Sequence, residues 1–288
     1  DLFLRSLGKK TKIISYSKIP KNFLYLPGMA DVEIANFAKI NLAEFDLFIT
    51  LDIAQETMIT KSEFPKLPER MKVVNIDHHI SDTNFGDINL ITEAGSTCET
   101  VYDLLKEWQA DIDKQTAKLL FLGIFTDTGC FQYPNTNEKT FSIAMDLLAK
   151  GADLNETVLT QFRSYNFKTL KYWGRVLANM RMDESKKFVW SVVTADEIKE
   201  LEIESGDIEG AASLFAPVTL GTEFGIILDE NEGFIKGSIR SRAGFDVAKV
   251  AVELGGGGHK LAAGFSLRMG LEEAEKLVLE VARKYIRT

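Results

Sequence analysis

The amino-acid sequence predicts an α/β protein of two domains: an N-terminal domain on a mainly parallel open sheet, a helical linker, and a smaller C-terminal domain with a mixed sheet. Three observations predict it. Near-continuous apolar runs alternate with helical stretches through the first half, the pattern of buried parallel strands with covering helices. The C-terminal third instead carries strand–turn–strand signals, which imply antiparallel pairing. The length, 288 residues, suits two domains of roughly 100–200 residues each. The expected boundaries are 1–160 for the first domain, 161–185 for the linker and 186–288 for the second domain.

Each element has its own justification. Asp1 to Leu7 reads as the end of a helix stopped by Gly8. Lys12–Tyr16 reads as a short strand, and Ile34–Ile40 fits neither period cleanly. Asp46–Leu51 is a near-continuous apolar run, expected to be a parallel strand buried on both faces, and it ends on Asp52. Lys72–Ile76 is a second such run and ends on Asp77-His78-His79. Pro65 and Pro68 prevent a continuous helix between them. Val101, Leu104, Leu105 and Trp108 have helical spacing. Asp113 is the expected N-cap of Lys114–Phe125, a helix apolar almost all round and therefore buried, which runs into Thr126-Asp127-Thr128-Gly129. Glu138–Lys150 is a further helix, stopped at Gly151. Asn155–Met182 has helical character and bridges the domains. Phe188–Val193 and Glu223–Leu228 are strand-like, and the polar turn Asp229–Gly233 leads into Phe234–Arg242. A helix, Phe245–Leu254, precedes four glycines, and an amphipathic helix from Leu271 to about Arg287 closes the sequence.

Composition narrows the function. There are 34 basic and 42 acidic side chains, a net charge of −8, so whole-surface affinity for duplex nucleic acid or anionic membrane is not expected. A local basic groove is still allowed. Two cysteines, Cys98 and Cys130, cannot make a disulfide framework and fit a reducing compartment, hence the cytoplasm. No apolar run reaches the roughly 18–20 residues that a membrane helix needs. Asp1–Arg5 lacks the basic-then-apolar order of a secretory signal.

The chemistry concentrates in a few residues. Asp52 and His78 follow apolar runs directly, and Asp127 ends a buried segment. Open α/β sheets bind ligands at the carboxyl edge of their strands. Asp with His suits Mn²⁺, Mg²⁺ or Zn²⁺. Asp77-His78-His79 is a rare tripeptide in a chain with three histidines. Side chains alternate along a strand, so one imidazole is expected to ligate a metal while its neighbour faces substrate, with Asp77 orienting a histidine from behind. Gly255–Gly258, followed by His259 and Lys260, exposes backbone N–H groups to an anion. Period two puts Lys236, Ser238, Arg240 and Arg242 on one strand face, either a row of phosphate donors or a solvated face. Cys130 lacks a CxxC partner and reads as a small buried side chain.

Taken together, DLFITLD (46–52), VVNIDHH (73–79), GIFTDTGCFQY (123–133), SIRSR (238–242) and GGGGHKLAAG (255–264) resemble the DHH phosphoesterases, specifically the branch with a DHHA1 second domain. The order is the family's and nearly the whole chain is spanned. Within that branch the chain is similar to the bacterial nano-RNase and pAp-phosphatase type. The resemblance implies an N-terminal DHH domain, a DHHA1 substrate domain and two Mn²⁺ ions, with Mg²⁺ or Co²⁺ as alternatives. It implies metal ligation by Asp52, His78 and Asp127, with Asp52 bridging, and contact of His79 with the reacting phosphate. It implies substrate binding by Arg240, Arg242 and His259 and by the backbone of Gly257 and Gly258. The implied partners are short single-stranded oligonucleotides or pAp, with no duplex DNA and no membrane, and a homodimer is compatible. Two other readings stand beside it: a phosphodiesterase of c-di-AMP or pApA, and a catalytically inactive nucleotide-binding module. The second is motivated by one departure. The family's first motif, His-x-x-x-Asp-x-Asp after the first strand, does not occur, so the sequence is expected to be part of a longer protein that begins inside the family's first helix.

Overall fold

The computed structural model describes residues 1–20, 23–60, 64–79, 82–203, 208, 210–215, 219–242 and 244–286. The chain folds as two compact units, Asp1–Ser164 and Tyr165–Thr288.

The first unit runs α1 (Leu2–Ser6), β1 (Ile13–Ser15), β2 (Val32–Ile34), β3 (Leu47–Leu51), β4 (Lys72–Asp77), β5 (Ile88–Ile91), α2 (Thr97–Glu107), α3 (Lys114–Asp127), α4 (Glu138–Ala149) and α5 (Leu154–Phe162). Every strand pair in it is parallel. β1 lies beside β2, and β3, β4 and β5 form a separate sheet in that order. The register puts Leu51 against Ile76 and Asp77 against Ile91, so three strand ends share one edge. The expectation that Asp46–Leu51 is buried on both faces is not met. β3 is an edge strand, and alternate residues Leu47, Ile49 and Leu51 are exposed while Thr50 is buried. β5 carries a weaker apolar signal than β3 and β4, and the sequence pattern does not predict it.

The helices start where short polar side chains supply caps. Ser96, Asp113, Asn137 and Asp153 each accept a backbone N–H in the first turn of α2, α3, α4 and α5. α3 is buried as its composition requires: Ala117, Phe121 and Ile124 have no exposed surface. It packs with Tyr102, Leu105, Ile143 and Leu147 of its neighbours into the core of this unit.

The bridge stretch 155–182 is not continuous. α5 ends at Phe162, and Asn166 caps a new helix, α6 (Phe167–Ala178), through Thr169 N–H. α6 belongs to the second unit. There it is followed by β6 (Arg181–Met182), β7 (Phe188–Val193), α7 (Ala195–Glu200), α8 (Ala211–Phe215), β8 (Phe224–Asn231), β9 (Phe234–Ser241), α9 (Val247–Glu253), β10 (Gly257–His259), β11 (Ala262–Leu267) and α10 (Leu271–Ile286). The predicted end of the last helix, Arg287, lies outside the described residues. The sheet order is β10-β11-β9-β8-β7-β6, with only β7 and β8 parallel, so the sheet is mixed. α9 and α10 bury Phe188, Phe224, Ile226, Leu228 and Ile239 on one face. Tyr172 and Val176 of α6 cover Val189, Val193 and Ile227 on the other.

Candidate metal and phosphate sites

β3 and β4 end side by side and deliver Asp52, Asp77, His78 and His79 to one place. Asp52 N–H still donates to Ile76 C=O (3.0 Å), as if the sheet continued. Its φ is +63°, however, so the chain turns sharply there. A non-glycine residue in that region is strained, and such strain gathers at functional sites. The Asp52 carboxylate is fixed by Thr97, whose Oγ1 donates to Oδ1 at 2.8 Å.

Asp77 is fully buried. Its Oδ1 accepts from His78 N–H and from His79 Nδ1, both at 2.7 Å. Burial alone would push this carboxyl up, but the two histidine hydrogen bonds and the His79 charge hold it below the usual range. Burial likewise pulls His79 down, and Asp77, Asp52 and Asp127 overcome it, raising its pKa.

His78 has the most telling geometry. Its Nδ1 lies 3.1 Å from Ala94 C=O, and a carbonyl can only accept, so Nδ1 carries the proton. Nε2 then presents a lone pair. It is buried and has no hydrogen-bond partner. It lies 3.2 Å from Asp127 Oδ2 and 3.5 Å from Asp52 Oδ1. A lone pair facing two carboxylates is repulsive unless a cation or proton sits between them. Asp77 Oδ2 is a second buried atom without a partner. Asp52, Asp77, His78 and His79 each offer a ligand atom within 4.8 Å of the others. Asp127, the last residue of α3, joins them through the 3.2 Å approach of its Oδ2 to His78 Nε2. Burial raises its pKa, the His78 ring pulls it back, and the Asp52 charge adds to the rise. A bound divalent cation would relieve these unfavourable terms together.

The expectation that His78 and His79 face opposite sides is corrected. β4 ends at Asp77, so strand alternation does not reach them, and their ring centroids lie 4.6 Å apart. Thr97, the Ala94 carbonyl and Asn135, which donates from Nδ2 to Gly95 C=O at 2.8 Å and Asp127 C=O at 3.3 Å, were not singled out from the sequence. The one available signal was the Ser96-x-x-Glu99 pattern of a helix start.

Arg240, Arg242, Gly257, Gly258 and His259 all lie in the second unit. The register sets Arg240 opposite Ala262, and Ala262 opposite His259. Residues opposite one another share a sheet face, so Arg240 and His259 stand on one face with a small residue between them. Gly264 and Ser266 continue that small-residue floor opposite Ser238 and Lys236. Arg240 Nε contacts Ser213 Oγ at 3.4 Å, and Nη1 donates to Ile239 C=O. Arg242 lies past the end of β9, exposed. The four glycines are not one loose loop. Gly256 and Gly258 pack so closely on β11 that a Cβ would lie 2.1 Å from Gly264 O and 2.6 Å from Ala262 O, whereas Gly257 faces open space.

Comparison with known proteins finds a family model for each half of the chain. Residues 2–124 match the DHH family N-terminal domain, and residues 185–288 match the DHHA1 domain. The bifunctional oligoribonuclease and PAP phosphatase NrnA of Thermus thermophilus is 32% identical over 245 residues, covering 82% of this chain and 70% of that protein. The Bacillus subtilis protein of the same name is 28% identical over 82% of this chain and 74% of its own length. Among solved structures, an exopolyphosphatase-related protein from Bacteroides fragilis superposes with a TM-score of 0.88 at 27% identity, covering 98% of this chain and 85% of that one.

Proposed function

The chain is a member of the DHH family with a C-terminal DHHA1 domain, and from that premise we propose that it is a metal-dependent phosphoesterase acting on very small nucleotides. The proposed reactions are hydrolysis of short single-stranded oligonucleotides to mononucleotides and of pAp to AMP and phosphate. The single observation that carries the reading is the buried, partnerless Nε2 of His78 between the carboxylates of Asp52 and Asp127. The relatives named oligoribonuclease and PAP phosphatase support the substrate class.

Asp52, His78 and Asp127 would hold the metal, and Mn²⁺ is the proposed ion, two per chain, with Mg²⁺ or Co²⁺ as alternatives. Such ions supply a hydroxide near neutral pH and neutralise phosphoryl oxygens. The chain's own groups do the rest. Ala94 C=O holds the His78 proton on Nδ1, so that Nε2 stays a ligand. Asp77 holds His79 and favours its charge, which suits donation to a phosphate oxygen. Arg240 and His259 are proposed to grip a second phosphate of the substrate, aided by Arg242 and the Gly257 and Gly258 backbone. Both cysteines are free, which suits a reducing compartment such as the cytoplasm; no described helix is long and apolar enough to cross a membrane.

The test is to assay a dinucleotide, pAp and c-di-AMP side by side with Mn²⁺ and then with chelator, and to count bound metal in His78→Ala. Mononucleotide release that chelator abolishes, with metal lost from the folded variant, is expected. Full metal content in His78→Ala, or a faster rate on c-di-AMP, overturns the assignment.

A further inference from the structure

We propose that Tyr133 is a nucleobase-stacking residue, an aromatic plate laid over the turn that follows Asp127, which makes the site prefer nucleotides to other phosphoesters. This rests on the phosphoesterase reading and adds to it a residue that recognises the base.

The geometry begins where α3 ends. After Asp127 and Thr128 the chain passes through Gly129, Cys130 and Phe131 with φ of 56°, 62° and 63°, three consecutive left-handed residues. For L-residues this conformation costs about 1–2 kcal/mol each, and it rarely occurs in runs. The turn is nevertheless firmly built. Cys130 N–H donates to Phe125 C=O at 2.8 Å, and the N–H groups of Gln132 and Tyr133 both reach Thr128 C=O at 3.0 Å. The buried Thr128 Oγ1 accepts from Phe131 N–H at 3.1 Å. Phe131 anchors the turn inward, 5.7 Å from Phe125 and 5.2 Å from Phe141 between ring centroids.

The strained turn folds Tyr133 back over Gly129. A Cβ on Gly129 would lie 2.5 Å from Cζ and 2.6 Å from both Cε atoms of the ring. The three near-equal distances mean that the phenol end lies flat on the glycine, and any side chain there would displace it. One face of the ring is thus backed by main chain, while the residue remains 58% exposed. Asn135, two residues on, is tied to Asp127 C=O, which fixes this segment to the helix end that carries the candidate ligand. A rigid aromatic with one supported face and large exposure, on the turn that leaves a candidate metal ligand, is suited to a planar π-system. Base stacking on such plates tolerates any sequence.

The experiment compares a dinucleotide with an abasic dinucleotide, which offers the same phosphodiester and nothing to stack. In Tyr133→Ala the ratio of kcat/KM for the dinucleotide to that for the abasic analogue is expected to fall roughly tenfold, through KM. Tyr133→Phe should keep the wild-type ratio, because only the ring face is used. Bound metal, counted in parallel, should not change. An unchanged ratio, or equal losses on both substrates, overturns the proposal and leaves Tyr133 as a support for the turn. If the wild-type chain hydrolyses no dinucleotide, the phosphoesterase reading fails by itself. Calorimetric binding of a dinucleotide phosphorothioate to wild type and Tyr133→Ala then decides the stacking role, equal binding or none overturning it.

Discussion

Thr97 is the smallest group on which the candidate metal site depends. Its hydroxyl holds Oδ1 of Asp52, the oxygen that faces His78 Nε2, on a residue whose backbone is already in the left-handed region. Thr97→Val keeps the shape and removes the donor. Outer partners of ligands typically matter by 10–100-fold, so Mn²⁺ affinity by calorimetric titration should fall about tenfold, and Thr97→Ser should restore it. Unchanged affinity would reduce the hydrogen bond to a helix-start contact. The contrast with His78 shows what a sequence can display at this scale. His78 and Asp52 stand out in the sequence as candidates because each follows an apolar run at the carboxyl end of a parallel strand, where open α/β sheets bind ligands. The groups behind them do not. A backbone carbonyl such as that of Ala94 has no identity in the sequence, and Thr97 looks like any residue in a first helical turn.

At the scale of elements, the attachment of α6 to β8 has a pH dependence of its own. Tyr172 donates its hydroxyl to Asp229 Oδ1, and both side chains are buried. Burial pushes the Asp229 carboxyl from 3.8 up to about 6, although the Tyr172 hydrogen bond and the Lys236 charge pull it back. The folded chain therefore holds this proton more tightly than the unfolded one. The stability it contributes is complete below about pH 4 and is lost as pH rises through about 6. Asp229→Asn should stabilise the protein by roughly 2 kcal/mol above pH 7 and by almost nothing at pH 4. Denaturant melts at the two pH values check this, and a pH-independent difference would contradict it. Element boundaries show a further limit of pattern reading. The break between α5 and α6 follows from one capping asparagine, Asn166, inside an otherwise helical composition. The exposure of β3 follows from its place in the sheet, which an apolar run does not encode.

For the whole molecule, charge sets the reach of the substrate. A net −8 leaves little attraction for a long phosphate backbone, and the candidate donors Lys236, Arg240, Arg242, His259 and Lys260 are few. Cleavage should therefore gain little from substrate length beyond about five nucleotides. Few phosphate contacts release few counterions, so the salt dependence should be shallow. A length series from 2-mers to 24-mers at two ionic strengths measures both. A 24-mer bound and degraded far better than a 5-mer, with a steep salt dependence, would indicate an extended track instead. Each of the three hydrophobic clusters is drawn wholly from one side of residue 164: Tyr102 with Phe121 and Leu147 on one side, Phe188 with Val278, and Tyr172 with Ile227, on the other. Among the described residues, a genetic crossover at that junction would thus leave each of these three clusters intact. Lineages could then exchange the half that carries the acids and histidines independently of the half that carries Arg240 and His259, so that new substrates are acquired by recombination without reinventing the hydrolytic half.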